Sequence, residues 1–238
     1  MNLIDKYKGK YFSILGDSIS TFEGVSIPKH AVYYDMSHKI YAQITKMEDT
    51  WWGGLINELG GQLLINNSIS GSTVTYHPSY EYQSYGCSDE RTASLSAGNT
   101  NPDVILVYLG TNDWGAGVKL FSNDILQSND LTIFSNAYSK MLEKLKNNYP
   151  NAEIWCFTLS TSYCSARSDF SFPYYSGGWH ISEYCEVIRY CSQKYGCRLI
   201  ELFKDCSAYD TIDGFHPNKN GMKTIADMVI ANLKGFID

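Results

Sequence analysis

The chain reads as an α/β protein built on one doubly wound parallel sheet, and three observations lead there. Five apolar, β-prone runs recur along it: Tyr11–Leu15, Gln62–Ile65, Val104–Leu109, Ile154–Leu159 and Arg198–Leu202. Segments of helical periodicity lie between and after them. Glycines or a proline step stand where each helix should stop before the next strand. Continuous apolar strands alternating with helices imply a parallel sheet covered on both faces.

Each helix is legible as a stripe. Trp51, Trp52, Leu55, Ile56 and Leu59 share one face, as do Tyr138, Met141, Leu142 and Leu145. Ile181, Tyr184, Cys185 and Ile188 form a third, and Met222, Ile225, Ala226, Val229 and Leu233 a fourth. Gly60, Gly196 and Tyr149-Pro150 supply the stops. No repeat or inter-domain linker is visible, so residues 1–238 are expected to form a single domain. Three segments break the rhythm: Thr21–Thr50, Ser72–Pro102 and Ser160–Trp179. Each follows a strand end, where open α/β sheets place their ligand crevice.

Composition narrows the function classes. A net charge of −6 gives no electrostatic footprint for nucleic acid. No run of 18 apolar residues is present, so no membrane span is expected. The start lacks the charged-then-apolar layout of a signal peptide, which sets a cytoplasmic expectation. The seven cysteines show no C-x-x-C pair and are read as reduced, mostly buried thiols.

Chemistry concentrates at strand ends. Gly16-Asp17-Ser18 follows the first strand. A serine at the mouth of a helical turn is raised above the sheet edge, where backbone N–H groups favour developing negative charge. Alone, the tripeptide is also an ordinary turn and cap sequence. Asp213-Gly214-Phe215-His216-Pro217 precedes the last helix. An Asp three residues ahead of a His can fold back onto its Nδ1, leaving Nε2 free to accept a serine proton. His30, His38, His77 and His180 are expected to line loops without such a partner. Asn66-Asn67-Ser68-Ile69-Ser70-Gly71 and Gly110-Thr111-Asn112-Asp113 follow the second and third strands and offer a glycine N–H and an amide donor.

Ser18, Gly71, Asn112 and His216, taken in order, resemble the four blocks of the SGNH hydrolase superfamily, the GDSL esterases and lipases. The Gly-Asp-Ser, Gly-Thr-Asn-Asp and Asp-x-x-His matches are close; the glycine block is the loosest. The resemblance implies Ser18 as nucleophile, His216 as base and Asp213 as its orienting group. It implies an oxyanion hole from the Ser18 N–H, the Gly71 N–H and the Asn112 side chain. It further implies a flavodoxin-like three-layer sandwich, strand order 2-1-3-4-5, with no metal cofactor.

Twelve aromatic residues crowd the expected crevice side: Tyr33, Tyr34, Trp51, Trp52, Tyr76, Tyr80, Tyr82, Trp114, Tyr163, Tyr174, Tyr175 and Trp179. Trp51 and Trp52 are expected to anchor a helix; the rest could stack on sugars or pack against an acyl chain. The polarity of these loops favours a short acyl group, such as acetyl, on a carbohydrate or other small polar alcohol. The rivals are a lysophospholipase or thioesterase for longer chains, and an inactive binding protein on the same fold.

Overall fold

The computed structural model describes residues 2–77, 85–121, 129–204 and 207–235. In chain order its elements begin α1 (Leu3–Tyr7), β1 (Tyr11–Gly16), α2 (Met36–Tyr41), α3 (Trp51–Glu58) and β2 (Gln62–Ser68). Next come α4 (Asp89–Ala93), β3 (Val104–Tyr108), α5 (Thr111–Gly115), α6 (Phe134–Asn148) and β4 (Glu153–Phe157). The remainder is β5 (Thr161–Tyr163), β6 (Tyr175–Ser176), β7 (Trp179–His180), α7 (Ile181–Lys194), β8 (Arg198–Ile200), β9 (Ala208–Asp210) and α8 (Lys219–Lys234).

The five expected strands form one parallel sheet in the order β2-β1-β3-β4-β8, the flavodoxin-like order. Alternation along β3 shows why both faces must be covered. Val104, Leu106 and Tyr108 enter one core with Trp51, Trp52, Leu55 and the α8 stripe Met222, Ile225 and Val229. Ile105 and Val107 point the other way, into a second core with the α6 and α7 stripes. Gly60 and Gly196 terminate α3 and α7 with φ of +67° and +58°, a left-handed conformation that glycine adopts without a Cβ clash.

β2 runs three residues past the apolar stretch, through Asn66, Asn67 and Ser68. Polar residues can complete a buried strand here because their amides find carbonyls. Asn66 Nδ2 donates to the Ser20 carbonyl at 2.9 Å, and Asn67 Nδ2 to the Arg91 carbonyl at 3.2 Å. Gly16 lies level with Ser68 on one side and Tyr108 on the other. The segments leaving β1, β2 and β3 therefore emerge together at one edge of the sheet.

The three long segments carry short elements: α2, α4, and the β5 and β6 strands. Six cysteines are free thiols, five of them buried and Cys197 partly so; Cys206 lies outside the described residues. Among the described residues no helix is long and apolar enough to cross a membrane.

Candidate active site

Ser18 opens a single 3-10 turn, Ser18–Ser20, capped by Asp17, whose carboxylate accepts the Ile19 N–H at 3.0 Å. Gly16 is required just before it. A Cβ there would lie 2.7 Å from Ser20 Cβ and 2.8 Å from Ser68 Oγ, too close for any side chain. Trp51 and Trp52 brace the turn from below, their indole N–H groups donating to Ser20 Oγ at 3.2 Å and the Ser20 carbonyl at 2.9 Å. The two tryptophans thus anchor α3 as expected, and they do so against the serine turn.

Asp213 and His216 come from the loop between β9 and α8. Asp213 Oδ1 accepts the N–H groups of Phe215 at 2.9 Å and His216 at 2.8 Å. Its Oδ2 meets His216 Nδ1 at 2.7 Å, and His216 Nε2 reaches Ser18 Oγ at 2.9 Å. Residues 198 positions apart are thereby joined in one line. Burial pushes the Asp213 carboxyl up, but the His216 side-chain and backbone hydrogen bonds outweigh it and hold it well below the usual carboxylate range. A carboxylate that stays charged keeps a proton on Nδ1 and leaves the Nε2 lone pair facing the serine.

Spacing alone does not single out His216, which corrects the expectation for the other histidines. Asp35 stands three residues ahead of His38, and their side chains meet at 2.9 Å. What separates the pairs is placement: His216 Nε2 faces Ser18, whereas the Asp35–His38 pair lies on half-exposed α2.

The loops that carry the expected oxyanion donors Gly71 and Asn112 are joined by a hydrogen bond. Ile69–Ser72 forms a tight turn closed by Ser72 N–H to the Ile69 carbonyl at 3.1 Å. Gly71, at φ +78°, takes the third position, where a type II turn demands left-handed backbone. Asn112 Nδ2 donates one hydrogen to the Ser72 carbonyl at 2.9 Å. An amide nitrogen carries two hydrogens, and this bond engages one of them.

Two buried charges hold these loops, and sequence reasoning assigned neither a role. Arg91 in α4 is 2% exposed and donates to Gly16 O at 2.9 Å, Asn67 O at 2.8 Å and Ser72 Oγ at 2.8 Å. One guanidinium therefore fixes the exits of β1 and β2 and the turn that orients Asn112. Burial lowers its pKa to about 9, against the opposing pull of Asp17, so it stays charged at neutral pH. Asp113, fully buried beside Asn112, accepts Val74 N–H at 2.8 Å, Thr75 N–H at 3.0 Å and the Thr75 hydroxyl at 2.7 Å. Burial nonetheless lifts its carboxyl to about 6, and that of Asp17 to about 7. An arginine in a polar run looks like surface in sequence, and only the fold shows what it reaches. Replacing Asp113 by Asn leaves one oxygen for three donors and is expected to cost about 1–3 kcal/mol of stability. A urea midpoint equal to wild type would contradict that.

Of the aromatic residues expected at the crevice, Tyr34 and Trp114 are instead core, each at most 1% exposed, as are the helix anchors Trp51 and Trp52. Their side chains point into the apolar layers, which local sequence does not reveal. Tyr80 and Tyr82 lie outside the described residues. Tyr33 does belong to the site. Its ring lies on the His216 imidazole, centroids 3.4 Å apart and planes 8° from parallel.

A family model described as GDSL-like Lipase/Acylhydrolase matches residues 10–166. The chain belongs to this family. A GDSL-like lipase candidate from Bacteroides uniformis is 33% identical at a TM-score of 0.71, covering 99% of this chain and 100% of its own. A second, from Bacteroides ovatus, is 28% identical at 0.72 and covers 96% and 99%. A family two carbohydrate esterase from Clostridium thermocellum, in complex with cellohexaose, shares the fold at 0.57 and 14% identity, with 97% of this chain matched to 65% of its length. No curated protein matches the chain. As a GDSL-like acylhydrolase the protein is an ester-hydrolysing serine hydrolase. The matched family segment ends before Asp213 and His216, so their part in the site rests on the geometry above.

Proposed function

We propose that this hydrolase cleaves short acyl esters, acetyl above all, from a carbohydrate or small polar alcohol, through a Ser18–His216–Asp213 triad. The carrying observation is the continuous line from Asp213 Oδ2 through both His216 nitrogens to Ser18 Oγ, at 2.7 and 2.9 Å. Ser18 Oγ attacks the ester carbonyl carbon while His216 Nε2 takes its proton. The carbonyl oxygen becomes an oxyanion facing the Ser18 N–H, the Gly71 N–H and the second Asn112 hydrogen. Collapse expels the alcohol, protonated by His216, and leaves Ser18 acylated. Water, activated by the same imidazole, then releases the acid.

The substrate reading has two supports. Phe215, beside His216, is 37% exposed, and Phe172 lies between it and Tyr174, which is 48% exposed. Such a wall of rings suits the apolar face of a sugar. The carbohydrate esterase noted above has the same fold, and its ligand lends the substrate class as a proposal only.

Chromogenic esters of increasing chain length, set beside acetylated glycans, test the substrate. kcat/KM should be highest for acetyl and fall with length; a maximum at eight or more carbons would favour the lysophospholipase or thioesterase reading. The oxyanion hole has its own test. A preset donor stabilises the tetrahedral state more than the ground-state ester. Asn112→Ala should therefore lower kcat by about 10²–10³-fold with KM little changed. A less stable variant of full kcat would remove Asn112 from the site.

A further inference from the structure

Tyr33 and Tyr34 lie in the long segment after β1, and the triad as such requires neither. Their contacts run to both halves of the site. The Tyr33 backbone N–H donates to Thr21 Oγ1 at 3.0 Å, and the Thr21 hydroxyl donates to the Ser18 carbonyl at 2.8 Å. That ties Tyr33 to the nucleophile turn. The Tyr33 phenol donates to Asp213 Oδ2 at 2.8 Å, the oxygen that also meets His216 Nδ1. Its ring covers the imidazole face at 3.4 Å. Tyr34 donates its hydroxyl to the carbonyl of Pro217, the residue after His216, at 2.7 Å.

We propose that Tyr33 is a positioning residue for His216, and that Tyr33-Tyr34 is the strap that sets the Ser18–His216 distance. The inference rests on the triad reading. The nucleophile and base loops belong to opposite ends of the chain and share no strand pairing. Two adjacent tyrosines give them a common brace: backbone to one loop, side chains to the other.

The brace also acts on charge. A phenol donating to Asp213 draws on the carboxylate that supports His216. Burial, then the Asp213 hydrogen bond, raise the Tyr33 pKa, so the phenol remains a donor throughout the working range. The stacked ring acts in the opposite sense, because an electron-rich face favours the imidazolium formed during attack. Among the described residues, Asp213 and Ser18 are the polar groups that meet the His216 ring nitrogens. On its far side Tyr33 faces His38, centroids 4.5 Å apart, with Asp35 and Tyr41 also acting on it.

Two substitutions separate these effects. Tyr33→Phe keeps the ring and removes one donor from Asp213, so the acid limb of kcat/KM should move to higher pH. Tyr33→Leu removes the ring as well. Relative to Tyr33→Phe, its limb should return by about half a pH unit and its kcat should fall about 3–10-fold at unchanged KM. Tyr34→Phe, which cuts the tie to Pro217, should lower kcat without moving the limb. The same preparations are titrated with a fluorophosphonate to count active serines. Labelling at Ser18 with wild-type limb and kcat in both Tyr33 variants would overturn the positioning role and leave the triad standing. No labelling of Ser18 in the wild-type protein would overturn the triad reading itself. Should Tyr33→Leu fail to fold, the limb of Tyr33→Phe decides alone: a shift upward supports the role, and none overturns it.

Discussion

Replacing Ser18 by Ala is expected to lower ester hydrolysis by about 10⁵–10⁶-fold, leaving the fold and the unfolding midpoint near wild type. The fold should survive because the turn is held by other atoms. Asp17 caps it, the Ser18 carbonyl still accepts from Thr21, and the tryptophans still bind Ser20. The rate should collapse because no other hydroxyl meets His216 Nε2 among the described residues. Ser20 is the nearest decoy, and its fully buried Oγ is turned toward Trp51 Nε1. Ser20→Ala is accordingly expected to lose about 0.5–1.5 kcal/mol of stability and keep most of its kcat. Parallel measurement of kcat and urea midpoint on the two variants checks both statements. A Ser18→Ala preparation within tenfold of wild type would sink the assignment.

The second large effect is expected at Asp213. Asn in its place keeps the shape but turns an acceptor into a donor toward His216 Nδ1. The imidazole then carries its proton on Nε2, the atom that must accept from Ser18. The loss should be about 10³–10⁴-fold in kcat, smaller than for Ser18, because Asp213 orients and does not react. The Tyr33 phenol adds a further demand, since it too needs an acceptor at Oδ2. Circular dichroism should show a folded protein. A folded Asp213→Asn enzyme at a tenth of the wild-type rate or better would mean that His216 is held by other contacts.

Much of this architecture was legible in the chain because periodicity reports burial directly. The five strands and four main helices follow from apolar spacing, since a strand covered on both faces must be apolar throughout. β2 shows where that signal stops. Asn66, Asn67 and Ser68 look like loop, but the strand continues through them alongside Ile14, Leu15 and Gly16 of β1, with distant carbonyls accepting from the Asn66 and Asn67 side-chain N–H groups. The residues that touch each other at the site, Ser18, Asp213 and His216, carried sequence signals because short-range turn chemistry places each one. Arg91, Asp113 and Tyr33 act through contacts made across the fold. Arg91 reaches Gly16, 75 positions away, and Tyr33 reaches Asp213, 180 away. Asp35–His38 shows the opposite error, a local spacing identical to that of Asp213–His216 but not directed at a nucleophile.

Covalent labelling tests the central claim most directly. Wild-type protein treated with a fluorophosphonate, digested and analysed by mass spectrometry should carry one phosphonyl group, on the peptide containing Ser18. Asp213→Asn should label more slowly at the same residue, and Ser18→Ala should not label. A stoichiometric adduct on any other residue, or full labelling of Ser18→Ala, would contradict the account.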